Sequence, residues 1–344
     1  MGRLKTVLIT GGAGFIGINT ADHYHKKKYK IIILDNFSRK GVEKNISWFK
    51  KTHKENYQIV KYDIRNRSKK LDLLVGEADI IFHFAGQVAV TTSVEKPYND
   101  FLTNALGTLN LLESVRLSKR NPILIYSSTN KVYGDLDGIA VKETKTRYAF
   151  RNLLKGVDET APLDFHSPYG CSKGCADQYI RDYSRIYGIR SIVFRQSCIY
   201  GPHQYGFEDQ GWVAWFLIAA VLGKKLTIYG NGKQVRDLLH IDDLIQAYDL
   251  AIDKINITNG QIYNLGGGVN NSLSIWLEFG PLLEKLTKRK LSVKFSKTRP
   301  GDQAIFIADT TKAKKDFGWK PKINLTKGIT NLYGWIKENE KEFV

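Results

Sequence analysis

The 344-residue chain has little cysteine, little negative charge and no hydrophobic run of membrane length. Its three cysteines, Cys171, Cys175 and Cys198, form neither a CxxC pair nor an even disulfide set. A disulfide-stapled domain and a thiolate metal centre are therefore excluded, and reduced thiols are expected. No HExxH or comparable spacing of His with Asp or Glu offers another metal site. The start "MGRLK" leads directly into the strand pattern "TVLIT" with no signal-peptide core, so a soluble, cytoplasmic protein without membrane contact is expected. Gly2 satisfies a loose acylation pattern, yet it lies too near a buried strand to act as a free tail. Acidic residues number 34 against 52 Lys and Arg, a net charge of +18. The lysines fall in scattered groups such as "HKKKYK" and "TKAKK", not in one stripe with exposed aromatics. This reads as a solvated surface that attracts anionic small molecules, and nucleic acid is not expected as a partner.

An apolar content of 42% is enough for a sizeable core. Strand-like runs alternate with helical segments: "TVLIT", "IIILD", "YQIVKYD", "DIIFHFAG", "ILIYSS" and "SIVFRQS". That alternation predicts a doubly wound parallel α/β sheet of the Rossmann kind. Beyond residue 197 the pattern loosens, then returns to strand in "QIYNLGG". The reading is a dinucleotide-binding domain over 1–196, with a returning segment near 236–268, and a smaller substrate-binding domain mainly over 197–344.

The first strand runs into "TGGAGFIG", where Gly11, Gly14 and Gly17 satisfy GxxGxxG and Gly12, Gly14 and Gly17 satisfy GxGxxG. Glycines here permit a tight turn and close approach of backbone to a pyrophosphate, and Phe15 and Ile16 open the helix whose N-terminus favours the negative charge. The second strand ends in Asp35 and Asn36 at the distance a ribose-binding acid requires. A carboxylate there selects NAD over NADP. Arg39 is the competing feature, since it would suit a 2′-phosphate, and Asp63 with Ile64 ends the next strand near the expected adenine.

A further strand, "ILIYSSTNKVYGD", ends in hydroxyls. Such a carboxyl end faces the ligand crevice of an open α/β sheet. The segment "HSPYGCSKGCADQYIRDYSRIYG" reads as a helix with Ser167 as N-cap, Pro168 in its first turn and Gly188 as terminator. Tyr169 and Lys173, four apart, share one of its faces.

The glycine-rich turn, the hydroxyl-ended strand and the Tyr/Lys helix together resemble the extended short-chain dehydrogenase/reductase family, which modifies nucleotide-activated sugars with bound NAD. The likeness runs through "HFAG" (Phe84, Ala85 and Gly86), Asn104, "VFRQSCIYGP", "GNGKQVRDLLHIDD" and "RPGDQ". It implies Thr129, Tyr169 and Lys173 as the catalytic set, Phe84, Ala85, Gly86 and Asn104 as further cofactor residues, and a homo-oligomer, dimer or tetramer. Tyrosine, with an ordinary pKa of about 10, needs roughly 4 kcal/mol of help to ionise near neutrality. A lysine ammonium about 5 Å away supplies on the order of 3 kcal/mol at an effective dielectric near 20. In the family's 4,6-dehydratases an Asp-Glu pair follows the threonine; here Asn130 and Lys131 stand there, and neither replaces an acid–base carboxylate. That disfavours elimination and leaves epimerisation.

"AGQVAVTTS", "SSTNKVYGD", the insertion from Asp137 to Phe165 and "DQGWVAWF" resemble the subgroup that inverts C2 of a CDP-linked hexose such as CDP-paratose. This likeness implies a CDP-sugar substrate met by Gln87, Asn130, Ser197 and Gln204, with Arg195, Arg236 and Arg299 for its diphosphate. Arginine suits that task through its bidentate fork. The alternatives are a 4-epimerase or reductase of the same family, or a non-catalytic NAD-binding regulator.

Overall fold

The computed structural model describes residues 4–299 and 301–343. The strands are β1 (Thr6–Thr10), β2 (Lys30–Asp35), β3 (Tyr57–Lys61), β4 (Ile80–His83), β5 (Ile123–Thr129), β6 (Val141–Glu143), β7 (Tyr148–Phe150) and β8 (Ser191–Gln196). They continue with β9 (Cys198–Tyr200), β10 (Leu226–Tyr229), β11 (Val235–His240), β12 (Gln261–Leu265), β13 (Ser272–Ser274), β14 (Val293–Ser296) and β15 (Ile305–Phe306). Seven of these form one sheet in the order β12-β8-β5-β4-β1-β2-β3. Every neighbouring pair in it is parallel. The doubly wound α/β class expected from the alternating runs is the one found.

Both faces of this sheet are covered, which is why its central strands read as unbroken Ile, Val and Leu. Ile9, Ile33, Phe82 and Phe194 enter one core layer. Their strand neighbours Leu8, Ile32, Ile81 and Val193 enter the other. At the outer edge β3 is less enclosed: Gln58 and Lys61 are exposed, Tyr57 and Ile59 are half-buried, and Val60 is buried. A third core gathers the apolar helix Trp212–Leu222, Leu226, Ile228, Phe279 and Ile336 in the C-terminal part of the chain.

The register sets where chemistry can occur. Thr10 at the end of β1 pairs with His83 at the end of β4, and Thr129 at the end of β5 pairs with Gln196 at the end of β8. The carboxyl ends of four strands thus open on one side. The chain leaves β8 through Ser197, whose N–H donates to Leu265 of β12, and enters β9, which pairs with β11 in a second sheet. The insertion is anchored to that region by Val157, whose N–H donates to the Ile307 carbonyl at 2.8 Å. Among the described residues no helix is long and apolar enough to cross a membrane.

Candidate active site

A cavity of about 320 Å³ lies over the strand ends. Its floor is the glycine-rich turn: Gly11, Gly14, Phe15, Ile16 and Gly17 all line it, with Phe84 beside them. Gly11 sits at φ +67, and a Cβ there would come within 2.6 Å of the Ala85 nitrogen. A Cβ on Gly17 would lie 2.5 Å from the Gly11 carbonyl, so this glycine lets the helix pack onto the turn. Gly14 is different, since a Cβ there would meet only the Gly11 oxygen, at 3.2 Å, and otherwise project into open space. Backbone that another group can approach this closely, at the start of the helix Phe15–Lys26, fits a dinucleotide pyrophosphate.

The candidate reacting groups stand at the other wall. Ser127, Ser128, Thr129, Tyr169 and Lys173 line the same cavity. Each hydroxyl ending β5 has its own partner: Ser127 donates to Gln196 at 2.9 Å, Ser128 donates to Asp177 at 2.7 Å, and Thr129, near the Tyr169 phenol, accepts the Lys131 N–H at 3.2 Å. Tyr169 and Lys173 lie in the helix Ser167–Tyr187, closed by Gly188 at φ +66. Ser167 already counts as its first residue, yet its Oγ accepts the Gly170 N–H at 3.3 Å, the bond of a cap.

One electrostatic expectation needs correction. Burial pushes the Tyr169 phenol up to about 12, against the lowering by Thr129, and the nearby Asp100 carboxylate pushes it the same way as burial. Burial pushes the Lys173 amine down to about 7, against Asp177 and Asp100. Lys173 Nζ donates to the Ser127 carbonyl at 2.5 Å and lies 4.2 Å from the centre of the Tyr126 ring. Both members of the pair are therefore held toward their neutral forms, because desolvation penalises phenolate and ammonium alike. The lysine's expected share of the help that Tyr169 needs to ionise is opposed by burial, and the remainder expected from a bound nicotinamide ring is still needed.

Several predicted cofactor residues support the cavity from behind. The Asp35 carboxylate accepts the Ala13 N–H at 3.1 Å and the Phe37 N–H at 2.8 Å, so it braces the glycine-rich turn, while Arg39 lines the cavity. Asn36 donates to Asp63 at 3.3 Å, and Arg65 grips that carboxylate at 2.6 Å and lowers its pKa. Ile64 is core, and its carbonyl accepts from Asn110. The Ala85 N–H donates to Thr10 at 3.3 Å. Asn104 sits on a π-helical turn, Leu102–Leu106, and is fully engaged: it accepts the Gln87 N–H at 2.9 Å and donates to Ser172 and Asp100. Its Oδ1 would also block a Cβ on Gly86 at 2.9 Å. Asn104 thus fixes the Gly86–Gln87 loop and does not itself line the cavity, whereas Gln87 keeps a buried Oε1 with no partner among the described residues.

Of the predicted substrate residues, Ser197 and Gln204 line the cavity. Arg195 does not. Its guanidinium is 2% exposed, bonded to Asp177 through Nε and Nη2 at 3.0 Å each and to the Tyr133 hydroxyl at 3.1 Å. It ties β8 to the Tyr169 helix and has no face left for a diphosphate. Arg236 donates to Asp302 at 2.5 Å and to the Gln303 carbonyl at 2.7 Å. Arg299 pairs with Asp209 at 2.8 Å and stacks 3.8 Å above the Tyr229 ring. Asn130 donates to Gln303 at 2.9 Å, and Lys131 to the Gly301 carbonyl at 2.8 Å. Burial and the neighbouring Arg236 push the Lys131 amine down to about 8.

The sequence reading missed Val42 and Asn45 of the helix Val42–Thr52, and His203, all on the cavity wall. Asn45 donates to the Ala13 carbonyl at 3.0 Å, but no local motif marks a surface helix as turned toward a distant loop.

Fold and site together define an α/β protein in which one cavity brings Thr129, Tyr169 and Lys173 to a glycine-rich turn. The chain belongs to the GDP-mannose 4,6 dehydratase family, whose profile matches residues 8–332, and so to the NAD-dependent epimerase and dehydratase enzymes. It is 45% identical over 335 residues to the CDP-paratose 2-epimerase of Salmonella typhi, covering 96% of this chain and 98% of that one. The UDP-glucose 4-epimerase of Thermotoga maritima, solved with UDP-glucose, is 30% identical with a TM-score of 0.81 over 97% of this chain and 99% of its own. The UDP-glucuronic acid 4-epimerase of Bacillus cereus, solved with UDP-glucuronic acid and NAD, is 27% identical with a TM-score of 0.83 over 97% and 99%.

Proposed function

We propose that this enzyme inverts C2 of a CDP-linked hexose, of the CDP-paratose to CDP-tyvelose kind, through a transient 2-keto sugar. The observation that carries epimerisation over elimination is the placement of Asn130 and Lys131. Both are bonded to the 301–303 segment, so no carboxylate pair follows Thr129. The choice of C2 and of a CDP-sugar rests on the 45% identity to the Salmonella enzyme.

NAD is the cofactor of this reading: Gly11, Gly14 and Gly17 would hold its pyrophosphate, and when bound it accepts hydride from the sugar carbon and returns it. Tyr169 and Lys173, both held toward their neutral forms by burial, would face the positive charge that its oxidised ring would supply. Tyr169 takes the proton of the 2-hydroxyl and later gives it back. Thr129 shares that oxygen and holds the phenol in place. Lys173, fixed by the Ser127 carbonyl, keeps an N–H beside the cavity wall for a ribose hydroxyl.

The test uses sugar deuterated at C2. The label is expected to stay at C2 through inversion, and reaction in heavy water is expected to introduce none. Deuterium arriving from solvent would mean proton abstraction from carbon and end this reading; inversion at C4 with C2 untouched would move the enzyme to the 4-epimerases.

A further inference from the structure

The two positions where the family's dehydratases carry acid and base are occupied here by side chains that point away from acid–base chemistry and into one segment. Asn130 Nδ2 donates to Gln303 Oε1 at 2.9 Å, and Lys131 Nζ donates to the Gly301 carbonyl at 2.8 Å. Gln303 in turn donates to the Gly134 carbonyl, on the far side of the same short turn Asn130–Tyr133. Three side-chain bonds therefore join the turn after the catalytic strand to residues 301–303.

That segment touches every part of the substrate end. Gly301 lies at φ +69, and a Cβ on it would stand 3.9 Å from Ser167, at the head of the Tyr169 helix, and from Val90. Asp302 holds Arg236 at 2.5 Å, and the Gln303 carbonyl takes a second bond from the same guanidinium. Arg299 reaches Asp209 and the Glu208 carbonyl in the loop whose Gln204, Tyr205, Gly206 and Gln210 line the cavity. A shift of this segment would move the ion-paired Arg236 and Arg299 and the cavity loop together. Its short lever is the β5 end, where Thr129 meets Tyr169.

We infer that Lys131, with Asn130, is a positioning residue: the pair straps residues 301–303 to the end of the catalytic strand and so keeps Arg236 and Arg299 in register with Tyr169 for a nucleoside diphosphate-linked substrate. The inference rests on the proposed function for the identity of that substrate, while the strap itself is a property of the protein without ligand.

The experiment compares wild type with Lys131→Met, Lys131→Arg and Gln303→Leu, reading backbone amide exchange across residues 301–304 and, separately, kcat and KM for a CDP-hexose. Loss of a charge-assisted hydrogen bond in Lys131→Met should speed local exchange by about tenfold or more. KM should rise by about tenfold with kcat changed by less than about threefold, since the reacting groups are untouched. Lys131→Arg, which keeps a charged donor, should restore most of both effects, and Gln303→Leu should reproduce the exchange change if Lys131→Met folds poorly. Unchanged exchange in both Lys131→Met and Gln303→Leu would overturn the strap, as would a fall in kcat that matches the rise in KM. Faster exchange in a protein that turned over no CDP-hexose would support the strap and sink the functional reading instead.

Discussion

At the glycine-rich end of the cavity the floor is backbone, Gly11, Gly14 and Gly17 at the start of one helix, with the side chains of Arg39, Val42 and Asn45 beside it. At the substrate end the wall is held by ion pairs between side chains far apart in the chain, Arg236 with Asp302 and Arg299 with Asp209. A backbone cradle is complete before any ligand arrives. The ion pairs are provisional, because each guanidinium that suits a diphosphate already carries a carboxylate. Under the proposed function, substrate anion and protein carboxylate would compete for the same donors, so the substrate end would report on occupancy in a way the glycine-rich end would not.

The sharpest break between the two ends comes from Tyr169→Phe. It removes the ionisable oxygen and leaves the ring in the helix, so turnover should fall by about 10²–10⁴-fold. Dinucleotide content and the thermal midpoint should stay close to wild type, and near-normal turnover would remove Tyr169 from the reaction. Arg195→Met tests the region between the ends. It leaves the Asp177 carboxylate buried without its cation, which should cost about 3–5 kcal/mol in urea unfolding. A loss below about 1 kcal/mol would return Arg195 to the list of diphosphate ligands. The smallest effect belongs to Asp209→Asn, which frees Arg299 from a half-exposed partner and should tighten binding of CDP about threefold by calorimetry, roughly 0.6 kcal/mol. Weaker binding in that variant would mean that Asp209 helps the ligand.

These regions also differ in how far the sequence disclosed them. The central strands, the glycine-rich turn and the Tyr169/Lys173 face were legible because each follows from a local rule: burial on both faces, a φ above zero, a four-residue helical spacing. Arg195 was misread because its partner Asp177 lies 18 residues away on another element, and nothing at "VFRQS" marks that pairing. Asn104 was placed at the cofactor for the same reason. Its role as a brace depends on a π-helical turn that no residue pattern at Leu102–Leu106 signals. The electrostatics of the Tyr/Lys pair were argued from a distance and a dielectric, which leave out the burial that pushes the Tyr169 phenol up and the Lys173 amine down.

The position of β12 constrains how the chain can be made. It forms the outer edge of the seven-stranded sheet beside β8, yet it is synthesised only after β9, β10 and β11 of the other region. Until residues 261–265 leave the ribosome, the β8 edge has no strand on its outer side, and an unpaired parallel edge of Ile192, Val193 and Phe194 is a template for association with other chains. The nascent chain therefore passes through a window in which six strands of the seven-stranded sheet are built but one edge is still adhesive, and it closes that window with a strand that follows β9, β10 and β11.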